Sequence, residues 1–165
     1  MGDSTKNRND GSPIELDRTD RAILNILSAE GRIPVADLAR RVGLSKTPVA
    51  ARIARLETAG VITGYRATLS PIRMGLAHVA FVEVRLSDTR EKSLAAFNRA
   101  VMAIPEIEEC YMIAGGHDYL LKVRTRDIQD YRRVLAESLS NLPNVAATTT
   151  FVAMEAVKEN GAPAV

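Results

Sequence analysis

The sequence predicts an α+β chain in two parts, on three observations. Three short helical stretches, with a glycine-marked turn between the second and third, precede a weakly alternating segment. After them, strand and helix patterns follow in the order β-α-β-β-α-β. Basic residues concentrate in the first part. The first block reads as an N-terminal winged helix-turn-helix and the second as a ferredoxin-like βαββαβ (αβ-sandwich) domain.

The elements justify this in order. Residues 1–13 are polar, rich in Asn, Asp, Ser and Gly, and read as a disordered tail. From Asp17, Ile23, Leu24, Ile26 and Leu27 fall at helical spacing, with Asp17, Thr19 and Asp20 placed as N-terminal caps and Glu30-Gly31 as the stop. A second helix covers 35–42 and ends at Gly43. Ser45 caps a third, running to about Ala59. Residues 61–69 alternate around Thr63-Gly64 and predict a short hairpin, the wing. The first domain is thus 14–70, and Ser70-Pro71 and Gly75 mark its boundary. The second domain, 71–158, has strands predicted at 78–86, 107–113, 119–123 and 145–152 and helices at 89–104 and 128–139. Residues 159–165 read as a C-terminal tail.

Composition excludes several classes. Lys plus Arg is 22 against 20 for Asp plus Glu, too balanced for a histone-like polycation or an acidic tail. No apolar run is long enough to span a bilayer, and the N-terminus has no apolar signal region. The single cysteine, Cys110, forms no intramolecular disulfide, so a cytoplasmic location is expected. With no Trp, 4 Tyr and 3 Phe, stacking platforms for single-stranded nucleic acid are scarce. Two His and one Cys are too scattered for a zinc site, and no metal is expected. Cys110 reads as an inert thiol, His78 as packed or at an interface, and His117 as solvated or a ligand contact. Glu106, Glu108 and Glu109 read as solvated surface, with Glu106 and Glu108 on one face and Glu109 on the other.

The charge is uneven. Over 31–70, Arg32, Arg40, Arg41, Lys46, Arg52, Arg55 and Arg66 face only Asp37 and Glu57, whereas the rest of the chain after residue 70 is nearly neutral. Such a cationic block suits a phosphate backbone. On a helical wheel of the third helix, Val49, Ile53 and Leu56 form the seated side. Thr47, Ala51, Ala54, Arg55 and Thr58 point away, with Lys46 and Arg52 flanking the seated stripe. Small residues that sink into a groove beside long cations are what a recognition helix needs. Ser45, Lys46, Thr47, Pro48, Ala51, Arg52 and Arg55 are the expected contacts to double-stranded DNA. The bland alternative is an ordinary surface helix.

The segments LDRTDRAILNIL, GRIPVADLARRVGLSKTPVAARIARLETAGVITGYRATLSP and AGGHDYLLKV together resemble the Lrp/AsnC (feast/famine) transcriptional regulators, the leucine-responsive branch most of all. The resemblance spans about 16–158. It implies a DNA-binding domain joined to a domain that dimerises, assembles into octamers or other rings, and binds a small amino acid as effector. No other cofactor and no catalytic residue is implied. Carried over position by position, the effector site would comprise Met112, Ala114, Gly115, Gly116, His117, Asp118 and Tyr119, with Phe151, Val152 and Ala153 opposite. The residues themselves allow two readings of this loop. Gly115-Gly116 at positive φ can present amides to a carboxylate, with Asp118 accepting from an α-ammonium. Otherwise Asp118 only caps backbone amides in a hairpin turn. An apolar wall of Met112, Val152 and Ala153 favours Leu, Ile, Val or Pro. The enzyme alternative, a sirohaem-decarboxylase-like protein, needs convergent His and Arg that two His poorly supply. A third alternative is a stand-alone amino-acid-binding or assembly domain whose helix-turn-helix is vestigial.

Overall fold

The computed structural model describes residues 14–159. The tails expected at 1–13 and 160–165 lie outside the described residues. The described chain forms two compact units, one ending at Thr68 and the other spanning Leu69–Glu159.

The first unit holds α1 (Arg18–Ala29), α2 (Val35–Val42) and α3 (Lys46–Thr58). Asp17 and Asp20 form a reciprocal capping box that starts α1, so two orphan amides are satisfied at once. Gly43 ends α2 at φ 72°, where a Cβ would be strained. The N–H groups of Gly43 and Leu44 donate to the last carbonyls of α2 and fix the turn into α3. Ser45 stands at the N-cap of α3, but its hydroxyl makes no capping bond, contrary to the expected cap. Ile23, Leu24, Leu38, Ala39, Val49 and Leu56 form the core, with Ile53 and Ile62 packed on it.

The expected hairpin at 61–69 is not formed. The N–H groups of Val61 and Ile62 both donate to the Leu56 carbonyl, and the chain then continues without a strand ladder. The alternation there is weak, and two very short strands do not bury enough to stabilise a ladder by themselves. Ile62 instead joins the helical core, and the Tyr65 hydroxyl donates to Glu57 of α3.

In the second unit, β1 (His78–Leu86), α4 (Glu91–Val101), β2 (Ile107–Met112), β3 (Tyr119–Thr125), α5 (Ile128–Glu137) and β4 (Val145–Val152) follow in the expected order. The antiparallel sheet is ordered β2-β3-β1-β4. Alternate residues of β1 and β3 (Ala80, Val82, Val84, Tyr119, Leu121 and Val123) pack with Phe97 and Val101 of α4 and Tyr131 and Val134 of α5. Thus one sheet face is covered by both helices. The α4 start lies two residues later than predicted because the Asp88 carboxylate accepts from the Arg90 N–H and the Ser93 hydroxyl, holding 88–90 as a turn. The helix expected to reach 139 stops at Glu137, and a 3-10 turn follows at Leu139–Asn141.

Two surface expectations are corrected. The β2–β3 register shifts between Ile107 and Glu109, so the bulge brings Glu108 and Glu109 both to the Lys122 ammonium. Glu159, placed in a tail by the sequence, accepts from Lys122 at 2.8 Å and Arg124 at 2.7 Å. Two nearly buried cations therefore meet three carboxylates beside β3.

Candidate DNA-binding and effector sites

The wheel of α3 is realised. Val49 and Leu56 are fully buried, and Ser45, Lys46, Thr47, Pro48, Ala51, Ala54 and Thr58 are exposed. Pro48 lies in the first turn, where its missing N–H leaves no intrahelical bond unmade. The two arginines do not stand as free cations. Arg52 donates to Asp17 at 2.6 Å and to Asp20 at 2.7 Å, and Arg55 donates to the other oxygen of Asp20. The Asp20 side chain is 0% exposed, that of Arg52 31% and that of Arg55 50%.

This network shifts both acids. The Asp20 N–H and then the Arg52 guanidinium hold the Asp17 carboxyl below its ordinary range. Burial pushes Asp20 up, but Arg52, Arg55 and the Asp17 N–H together outweigh it, and its pKa is lowered. Arg40 pairs with Asp37 and Arg41 with Glu30. Much of the cationic excess is therefore neutralised within the unit. Among the described residues, Arg32, Lys46 and Arg66 have no ion-pair partner. Sequence reasoning found the cap role of Asp17 and Asp20 but not their grip on α3, because the partners lie 32 and 35 residues away.

The loop between β2 and β3 is held by Asp118. Its N–H donates to the Val84 carbonyl at 2.9 Å, its carbonyl accepts from Ile113 at 2.9 Å, and its carboxylate accepts from the Leu86 N–H at 2.7 Å. At least one carboxylate oxygen thus caps a backbone amide. Gly115 and Gly116 are exposed but not at positive φ, and a Cβ on either meets nothing within 4 Å. The left-handed amide cradle is not formed in the single chain. His117 is not simply solvated, since its Nδ1 lies 3.0 Å from the Glu83 carboxylate. Tyr119 is a core residue. It is 2% exposed, its ring is 4.4 Å from that of Phe97, and its hydroxyl donates to Asn98. In the single chain Tyr119 therefore serves the core.

Met112, Phe151 and Val152 are exposed, and Ala114 is open. The register separates them, however. Met112 aligns with Tyr119, and Tyr119 with Val84, toward the end of β1. Val152 aligns with Ala80 near its start, and the Ala153 N–H donates to Val79. Four residues of strand are about 13 Å. Phe151, Val152 and Ala153 are thus not opposite the 112–118 loop within one chain.

Of the other reactive side chains, Cys110 is half-buried and its thiol is pushed up by burial. His78 bonds Thr125 through Nδ1 and packs on the Tyr131 ring. Among the described residues, no group of three His, Cys, Asp or Glu is placed to hold a metal, and no helix is long and apolar enough to cross a membrane.

Comparison with known proteins agrees with both units. Residues 16–63 match a winged helix-turn-helix DNA-binding family, and residues 79–163 match the Lrp/AsnC ligand binding domain. The chain is 66% identical over 148 residues to the proline dehydrogenase transcriptional activator of Rhodobacter capsulatus, covering 90% of this chain and 96% of that one. It is 45% identical over 146 residues to the leucine-responsive regulatory protein of Escherichia coli, covering 88% and 89%. A transcriptional regulator from Neisseria meningitidis, solved as a complex with L-Met, superposes with a TM-score of 0.83 at 30% identity, covering 88% of this chain and 94% of that one. A winged helix-turn-helix match over the first unit, a ligand-binding-domain match over the second and regulator relatives along nearly the whole length show that this chain belongs to the Lrp/AsnC family of transcriptional regulators, with DNA binding by the first unit and amino-acid binding by the second.

Proposed function

We propose that the chain is a cytoplasmic, proline-responsive activator of a proline dehydrogenase gene, acting as a homodimer that assembles further. The carrying observation is the 66% identity, across 90% of the chain, to a relative named for that task. An inducer that is the substrate of the controlled enzyme is the simplest chemical logic, and the exposed apolar side chains of Met112 and Val152 suit the ring of proline.

Assembly follows from the split effector residues. The 112–118 loop of one copy and the 151–153 segment of another supply together what one chain holds at two ends of its sheet. On the sheet face away from the helices, the exposed Phe81 aligned beside Phe151 offers an apolar patch for pairing copies. A twofold pair then presents two α3 helices to a pseudo-palindromic duplex, through Ser45, Lys46, Thr47, Pro48, Ala51 and the half-exposed Arg55, with Arg52 tied to Asp17 and Asp20. Bound amino acid shifts the packing of pairs by its differential affinity for the two arrangements.

Titration calorimetry and light scattering with proline, leucine and methionine in turn test this reading. Proline alone giving heat at sub-millimolar concentration, with a change in assembly size, is expected. A response to leucine in place of proline overturns the effector, and no response to any of the three overturns the regulatory reading.

A further inference from the structure

We propose that the buried Asp20 is a positioning residue for DNA recognition, holding the Arg55 guanidinium in the orientation from which it reads a base. This rests on α3 as the helix that enters the major groove.

The geometry separates the two arginines. Arg52 lies between the carboxylates of Asp17 and Asp20, and its pairing with both is made through one nitrogen, Nη1. Its side chain is two-thirds covered, so it is an internal tie. Arg55 gives only Nη2 to Asp20. Its side chain is half exposed and lies one and two helical turns beyond Ala51 and Pro48, on the open face of α3. Small neighbours leave that face free to sink into a groove, with the remaining Arg55 donors at its surface. A bidentate contact to guanine O6 and N7 costs less ordering when the guanidinium is already oriented before the duplex arrives. Asp20 is suited to fix it. The carboxylate is fully buried, and the capping box ties it to the Asp17 N–H at 3.1 Å, while the Asp20 N–H donates back at 2.8 Å. The anchor thus runs from the start of α1, through a rigid carboxylate, to the reading side chain.

The charge balance makes the role testable. Asp17 and Asp20 neutralise Arg52 and Arg55, so the cluster adds little net attraction for phosphate. Its contribution is orientation, which enters specific binding and not non-specific binding. Asp20→Asn keeps the side-chain shape but removes a negative charge near the duplex. Non-specific affinity then holds or rises, while specific affinity falls. A general loss of structure moves both in the same direction.

The experiment measures the full chain on two duplexes over a salt series. One is an operator selected from a random-sequence pool by the wild-type chain, and the other is its scrambled counterpart. The readout is the ratio of the two affinities, from which any unfolded fraction cancels. Asp20→Asn is expected to lower the ratio about 10-fold, and Arg55→Ala to lower it at least as far. If Arg55→Ala lowers the ratio and Asp20→Asn leaves it within twofold of wild type, Asp20 is a fold determinant only and the proposal falls. If neither variant moves the ratio, and Lys46→Ala leaves the salt slope unchanged as well, α3 does not read the duplex and the proposal falls with that reading.

Discussion

Replacing Asp118 first by Asn and then by Ala separates two tasks for one carboxylate. The carboxylate accepts from the Leu86 N–H at 2.7 Å, whereas the backbone bonds of Asp118 to Val84 and Ile113 do not depend on its side chain. A hydrogen bond from a backbone amide to a charged acceptor contributes roughly 1.5–3 kcal/mol, and to a neutral one about 0.5–1.5. Asp118 is only half-buried, so the lower end of each range applies. Asn keeps an acceptor for Leu86 and costs about 1 kcal/mol. Ala leaves that amide unpaired and costs about 2 kcal/mol. For a domain of this size the shifts are roughly 5 and 10 °C in melting temperature. Scanning calorimetry reads these shifts, and titration calorimetry with proline, the proposed effector, reads the candidate site. If the carboxylate serves to lock the loop, the Asn variant binds proline within about threefold of wild type, while the Ala variant, with a loosened loop, binds weakly. An Asn variant that melts like the wild type yet no longer binds proline refutes this reasoning, because the charge then serves the ligand's ammonium.

Three further outcomes follow from the same structure. Asp17, Asp20 and Glu159 have lowered pKa values in the folded chain, so their stabilisation is present above the ordinary carboxylate range and is lost as pH falls through it and below. Urea denaturation is expected to show stability falling steadily from about pH 5 downward, and a flat profile contradicts the pairing. Gly43→Ala introduces a Cβ that meets nothing within 4 Å but at φ 72°, so the cost of about 1 kcal/mol is purely conformational. It is expected to appear in the urea midpoint together with weakened operator binding. Phe97→Ala empties a fully buried site against the Tyr119 ring and is expected to destabilise the second unit by about 3–5 kcal/mol in calorimetry.

Periodicity made the faces legible and left the partners obscure. The alternation of 78–86 and 145–152 gave β1 and β4 their full extent, and the spacing of Val49, Ile53 and Leu56 gave the seated side of α3. These are local signals, set by whether a residue meets water or the core. The strand ladder expected at 61–69 is not legible on the same measure, since Ile62 is drawn to the helices by burial that lies outside its own segment. Arg52 and Arg55 had the right exposure pattern for contacts, but the acids that hold them are at the start of α1, and no helical or strand period links positions so far apart. Strict alternation puts Glu108 and Glu109 on opposite faces, and one bulged residue in β2 cancels it.

The residues expected to meet the effector need both resemblance and register. Resemblance indicates 112–119 and 151–153 as functional but carries no distance. The strand register supplies the distance and places the groups near opposite ends of β1. A ligand as small as an amino acid cannot bridge about 13 Å of strand, so if both segments serve it, a second chain must bring them together. Ligand binding and assembly are then linked, and a titration that shows the proposed effector, proline, bound at full affinity by a monomeric chain would require one of the two segments to be removed from the site.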